Sequence, residues 1–94
     1  MTTEADLYDA LKYHFEVDKY GTRRYYNSAW QLHRELGPAV ELTNGDRLWY
    51  QNGRLHRTDG PAVELTNGSR FWRLHGVEYT ESDFYTQLAA LGNT

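Results

Sequence analysis

The chain has 94 residues, a formal net charge of −3 and 15% aromatic residues, among them eight Tyr and three Trp. It has no Cys, which excludes disulfides, thiolate metal sites and Cys nucleophiles. We expect residues 1–94 to form a single domain. The sequence has no apolar run of membrane-spanning length and no signal-peptide segment, so we predict a cytoplasmic protein with no membrane partner.

A helix is predicted over residues 4–15. Thr3-Glu4-Ala5-Asp6 is a capping sequence, with acidic residues in the first turn where the helix dipole favours them. Leu7, Leu11 and Phe15 follow at helical spacing. Beyond this helix the chain becomes rich in strand-forming residues.

An internal repeat with an offset of 23 residues occupies the middle of the chain. Residues 32–45 (LHRELGPAVELTNG) return as residues 55–68 (LHRTDGPAVELTNG), and the match continues to Gly53 and Gly76. A period of this length, with turn residues at fixed places, indicates one supersecondary unit that has been copied and stacked.

Each copy carries a hairpin signal. Asn44-Gly45 and Asn67-Gly68 are dipeptides that two-residue type I′ turns favour. Pairing outward from the second turn predicts Glu64 opposite Phe71. Strand alternation then puts Val, Leu and Trp side chains on a core face, with the other face partly exposed.

A second helix is predicted over residues 81–91, after the capping sequence Thr80-Glu81-Ser82-Asp83. The predicted fold class is α+β. It consists of an antiparallel meander of about five or six strands, built from 23-residue hairpin repeats over 16–79 and flanked by an N-terminal and a C-terminal helix.

The repeated pattern His-Arg-x-x-Gly-Pro-Ala-Val-Glu, followed by Asn-Gly-x-x-x-Trp, resembles a repeat family of tailed phages, large viruses and bacterial mobile elements. That family is distantly similar to MORN repeats. The resemblance covers about residues 20–85 and implies a β-hairpin repeat fold. It also implies a phage accessory protein that disables host machinery, as anti-CRISPR proteins do. Two departures from the family pattern are Glu35-Leu36 in place of Glu/Thr-Asp, and His75 in place of Asn.

The residues that could act in catalysis or metal binding are the two His-Arg pairs, His33-Arg34 and His56-Arg57. Equivalent residues of successive two-strand units lie roughly 9–10 Å apart. That is too far for a shared zinc ion, whose ligands lie about 2 Å from the metal. We therefore interpret both pairs as structural, capping the turn into Gly-Pro and bonding backbone carbonyls or an acid such as Asp59. The sequence predicts no metal, no cofactor, no catalytic residue and no enzyme activity.

Arginine and aromatic residues interleave along the predicted strands, a pattern that can bind single-stranded nucleic acid. The net acidic charge and a pI near 5.7 argue against the basic surface that such proteins carry. A purely structural interpretation of this pattern is that the arginine side chains pack on the aromatic rings and pair with nearby Glu residues. Nucleic-acid binding is therefore kept as the alternative function.

Non-catalytic protein binding is the predicted function. In its sharpest form the protein inhibits a bacterial defence complex, a CRISPR-Cas effector, by occupying a functional surface in the host cytoplasm. The predicted partner is a host protein or ribonucleoprotein complex, and open edge strands also allow a homodimer. Aromatic and Arg side chains dominate binding hot spots, and this guides the choice of residues. The predicted binding residues are Arg23, Arg24, Tyr25, Tyr26, Leu36, Tyr50, Phe71 and Arg73.

Overall fold

The computed structural model describes residues 12–92 and has an α+β fold, with a seven-stranded antiparallel sheet, a two-stranded hairpin and a C-terminal helix. The elements are β1 (His14–Val17), β2 (Arg23–Tyr26), β3 (Val40–Glu41), β4 (Arg47–Leu48), β5 (Tyr50–Gln51), β6 (Arg54–Leu55), β7 (Val63–Glu64), β8 (Arg70–Leu74), β9 (Val77–Tyr79) and α1 (Glu81–Gly92). The sheet order is β1-β2-β3-β4-β7-β8-β9, and β5 pairs with β6 in the second sheet. The sheet thus has seven strands rather than five or six, and the β5–β6 hairpin interrupts the predicted meander.

The predicted pairing of the second repeat hairpin is wrong by one residue. Val63 lies opposite Phe71, and Glu64 lies opposite Arg70. Because side chains alternate along a strand, this shift exchanges faces. Phe71 therefore shares a face with Val63, while Glu64 and Arg70 share the other.

The reason for the shift is a three-residue turn over 66–68. Leu65 N–H donates to Ser69 O, and Gly68 N–H donates to Leu65 O, both at 3.0 Å. Of Asn67 and Gly68, only the glycine has a positive φ, of 92°. The Asn67 side chain instead accepts the amide of Ser69 at 2.9 Å. A three-residue loop with one left-handed residue is the next most common hairpin connection after the type I′ turn.

Each repeat also has a later turn, and both of these later turns are two-residue type I′ turns. Asn52 and Gly53 have φ of 50° and 82°, and they join β5 to β6. His75 and Gly76 have φ of 51° and 84°, and they join β8 to β9. Positive φ at both central positions is what a type I′ turn requires.

The predicted helix over 4–15 lies outside the described residues as far as residue 11. At its end the prediction is wrong, since His14 and Phe15 belong to β1. Phe15 lies directly opposite Tyr25, and their ring centroids are 4.8 Å apart. This cross-strand aromatic contact stabilises a strand in spite of the helical spacing.

Helix α1 was predicted over 81–91 and is observed over Glu81–Gly92. Thr80 Oγ1 accepts the amide of Asp83 at 3.1 Å, as an N-cap does. α1 packs on β8 and β9, and Phe84 is fully buried. Among residues 12–92, no helix has the length and apolar character needed to cross a bilayer.

The three-residue turns of neighbouring hairpins contact one another. A Cβ built on Gly21 would lie 2.6 Å from Thr43 Cγ2, and one on Gly45 would lie 3.0 Å from Thr66 Cγ2. Asp46 Oδ1 also accepts the amide of Thr66 at 2.8 Å. Successive turns are therefore packed closely against one another at one end of the strands, and a hydrogen bond joins the second to the third.

Candidate functional site

The histidine of each His-Arg pair holds a type I′ turn. His33 Nδ1 accepts the amide of Asn52, and His56 Nδ1 accepts the amide of His75, both at 2.9 Å. Each histidine therefore holds the following type I′ turn, whereas the sequence predicted that it caps the turn into Gly-Pro. Residues 12–92 bring no three His, Cys, Asp or Glu side chains together as a metal site.

The arginine of each pair packs on an aromatic ring. Arg34 Cζ lies 4.0 Å from the ring centroid of Tyr25, and Arg57 Cζ lies 3.8 Å from that of Trp49. The side chains of Arg34 and Arg57 are only 13% and 19% exposed. A cation–π contact that is partly shielded from water contributes about 1–2 kcal/mol.

The same two guanidinium groups are also held by oxygen atoms. The first arginine donates from Nη1 to Pro38 O at 3.2 Å and lies 3.4 Å from Glu41 Oε1. The second donates to Pro61 O at 3.0 Å and lies 3.5 Å from Glu64 Oε2. The predicted bonding to backbone carbonyls is therefore confirmed in both copies.

The two copies differ two residues after the arginine. Asp59 is 80% exposed, and its Oδ1 lies 2.8 Å from Arg57 Nε. Leu36 occupies the equivalent position of the first copy and is 61% exposed. Beside it, Glu35 is half-exposed and pairs with Lys12 at 3.2 Å. The first loop thus presents an apolar side chain and a carboxylate, whereas the second presents a carboxylate.

A groove of about 710 Å³ lies between these two loops. Its lining includes Arg34 and Arg57, which are mostly buried, and Glu35, Leu36 and Asp59, which are exposed. The exposed side chains at the groove are therefore one apolar residue, Leu36, and three polar or acidic residues, Glu35, Thr58 and Asp59, while two arginines lie within the wall.

Residues 23–26, four of the predicted binding residues, form β2 and differ in accessibility. Arg23 is exposed, while Arg24 pairs with Asp18 at 2.9 Å. Tyr25 is 7% exposed, and the guanidinium of Arg34 lies over its ring. Tyr26 donates its hydroxyl to a carboxylate of β1 at 2.8 Å. The ring of Tyr25 therefore lies in the core rather than on an accessible surface.

The other four predicted residues lie on separate elements. Tyr50 is half-buried in β5, and Phe71 in β8 is 38% exposed. Arg73 pairs with Glu78 at 3.0 Å. Of the eight predicted residues, Leu36 is the one that lines the groove.

The predicted binding residues leave out the other nine residues that line the groove, among them Trp49, Arg57 and Asp59. Their signal was the comparison of Glu35-Leu36 with Thr58-Asp59 in the two copies. That comparison identified Leu36 as the departure from the repeat, but it did not identify the loop of the second copy, which lies across the groove.

A pH prediction follows from the two histidines at the second type I′ turn. The ring centroids of His56 and His75 are 4.3 Å apart. Burial, and then the charge of His75, lower the pKa of His56 below its ordinary value of 6.5. The unfolded chain therefore binds a proton at a higher pH than the folded chain does. His56 therefore contributes most to the protein's free energy of unfolding above about pH 6.5, and this contribution is lost as the pH drops through the folded pKa.

We expect the melting temperature to fall between pH 7.5 and 5.5, and to fall less in the variant His75→Asn. Asn at this position keeps the turn, as Asn52 does in the equivalent turn, but cannot carry the charge. Circular dichroism melts of both chains across this range measure the difference. An equal fall in both chains would show that the His75 charge does not act on His56.

Comparisons of the chain with models of known protein families, with curated proteins and with solved structures found no match. The site is therefore interpreted from its own geometry.

Proposed function

We propose that this protein is a non-catalytic binding module that captures a protein partner in the groove between its two loops. The observation that carries the proposal is the exposed side chain of Leu36 in a groove that the exposed residues Glu35 and Asp59 also line. An apolar centre with a polar rim is the usual anatomy of a protein interface. The groove's arginines, Arg34 and Arg57, are held internally by rings and oxygen atoms. A complementary partner presents an apolar side chain with basic neighbours.

In its sharpest form, the partner is a bacterial defence complex such as a CRISPR-Cas effector. The support for this step is the resemblance of the repeat pattern to a phage and mobile-element family. Proteins that grip nucleic acid carry basic surfaces, and the carboxylate of Asp59, although paired with Arg57, is 80% exposed and can accept a further basic group. In this proposal the protein acts in the host cytoplasm and blocks such a surface.

Single-stranded nucleic-acid binding by the predicted Arg and aromatic residues has less support. Tyr25 is buried, while Arg24 and Arg73 pair with carboxylates. Base stacking needs accessible rings. The experiment below separates the two functions.

The variant Leu36→Asp tests the groove. It gives the first loop the residue that the second loop carries as Asp59, so we expect the melting temperature to change by no more than a few degrees. Loss of a buried apolar hot spot costs about 2 kcal/mol or more, so partner binding is expected to weaken at least tenfold. Tagged wild-type and variant chains are used to capture partners from nuclease-treated bacterial lysate. The affinity of the purified partner is then measured by calorimetry.

Leu91→Asp is the matched control, since Leu91 on α1 has a similar exposure of 58%. This variant should retain the partner. Equal capture by Leu36→Asp and wild type would show that the groove does not bind it. If nuclease treatment removes every captured partner, the protein binds nucleic acid and the proposal is wrong.

A further inference from the structure

Five charged residues of alternating sign lie in one row across the sheet. Strand pairing joins Arg23 to Glu41 and Glu41 to Arg47. It then joins Arg47 to Glu64 and Glu64 to Arg70. Residues directly opposite each other in antiparallel strands share a face, so all five lie on one face. The three arginines are called the arginine row below.

The guanidinium groups of the arginine row make no ion pair within residues 12–92. All three side chains are exposed, and no hydrogen bond or ion pair links their guanidinium groups to another group of residues 12–92. The intervening carboxylates are engaged elsewhere, because Glu41 lies 3.4 Å from Arg34 and Glu64 lies 3.5 Å from Arg57. The three guanidinium groups are therefore available to a ligand, although the chain as a whole is acidic.

The spacing of the row follows from the sheet. Neighbouring strands lie about 4.8 Å apart, so arginines on alternate strands are about 9.6 Å apart and the row spans about 19 Å. A ligand that matches this row must present negative charge on one face in discrete steps of about 10 Å.

We propose that the arginine row binds an acidic α-helix of a partner protein, with carboxylates recurring every seven residues. Seven residues of α-helix rise about 10.5 Å and return to the same face within about 20°. Two helix turns, about 10.8 Å, thus match two strand spacings of about 9.6 Å.

Other regular anions fit the row less well. In an extended peptide, side chains return to the same face about every 6.8 Å. A DNA strand carries a phosphate about every 3.4 Å along its axis and returns to one face only after about 34 Å. It would also bring phosphates against Glu41 and Glu64. The neighbouring rings of Tyr25 and Trp49 lie under guanidinium groups, which disfavours base stacking.

This inference does not rest on the proposed function. The groove lies between two loops and suits a basic partner, whereas the arginine row lies on strands and suits an acidic one. The peptide experiment uses purified full-length protein, and the variant Leu36→Asp should bind the peptide as wild type does. Failure of one proposal therefore leaves the other intact.

Fluorescence anisotropy with two labelled helical peptides tests the inference. One peptide carries three Glu at seven-residue intervals in an Ala/Gln background. The other has the same composition, with its three Glu moved onto different faces of the helix. At low salt we expect the first peptide to bind at least fivefold more tightly, and binding to be lost at high salt.

The variant Arg47→Gln removes the middle charge of the row. Exposed charge pairs contribute up to about 1 kcal/mol, so we expect binding to weaken roughly three- to fivefold. Arg54→Gln is the matched control, because Arg54 is an exposed arginine on β6 outside the row. It should leave the affinity unchanged.

Three results would overturn the inference. The first is equal binding of the two peptides, or no binding of either at low salt. The second is an affinity that Arg47→Gln leaves unchanged. The third is tighter binding of a random single-stranded or duplex oligonucleotide, with sensitivity to Arg47→Gln, since the row would then be a nucleic-acid surface.

Discussion

Replacing Phe84 by Ala is expected to lower the free energy of unfolding by about 3–5 kcal/mol. Phe84 is fully buried in the first turn of α1, where the helix packs on β8 and β9. Chains of this length unfold with a total of about 5–14 kcal/mol, so the loss is a large share of it. We expect the melting temperature to fall by about 15 °C or more, measured by circular dichroism and urea unfolding.

Two further variants make this result specific. Phe84→Leu keeps most of the apolar volume and should cost much less than the alanine variant. Tyr85→Ala removes the next aromatic side chain, which is 48% exposed, and should cost about 1 kcal/mol or less. If Phe84→Ala melted only the helix and left the tryptophan fluorescence transition in place, α1 would not belong to the same cooperative core.

Alanine substitutions of three turn glycines are expected to destabilise in a fixed order. Gly21, Gly45 and Gly68 have φ of 87°, 101° and 92°, so each variant forces Ala into the left-handed region at a cost of about 1–2 kcal/mol. At Gly68 nothing lies within 4 Å of the new Cβ. At Gly45 and Gly21 it meets Thr66 Cγ2 at 3.0 Å and Thr43 Cγ2 at 2.6 Å. Gly21→Ala should therefore cost the most, about 2–3 kcal/mol, and Gly68→Ala the least.

Urea unfolding of the three variants measures this order. Thr43→Ser removes the methyl group that the new Cβ meets, so the double variant with Gly21→Ala should recover to the cost of Gly68→Ala. Equal costs at all three glycines would show that only backbone strain matters. A double variant no better than Gly21→Ala would place the clash elsewhere.

Local signals predicted the end of the chain better than its middle. Helix α1 follows from Thr80 and the acidic residues after it, because capping chemistry acts within one turn. The hairpin register was missed because Asn-Gly suits both a two-residue and a three-residue loop. The side chain of Asn67 selects the longer loop by accepting the amide of Ser69. The contact of Phe15 with Tyr25 that orders β1 depends on a strand ten residues later, which helical spacing does not reveal.

The candidate site was predictable where the two copies differ and not where they are alike. Leu36 stood out because the second copy has Asp59 there. The stacking of Arg57 on Trp49 joins a loop to the residue between β4 and β5, and no spacing rule connects them. Tyr25 was chosen as an aromatic residue in an arginine-rich segment, although it is the ring that Arg34 covers.

Helix α1 also bears on how copies of this protein meet one another. A sheet whose hairpins stack through identical contacts could continue from one molecule into the next and grow into a filament. The helix follows β9 directly and lies against the last two strands of the sheet. Loss of α1 would uncover the apolar surface that Phe84 fills, and exposed apolar surface promotes association. The helix that completes the core would in this way also limit self-assembly.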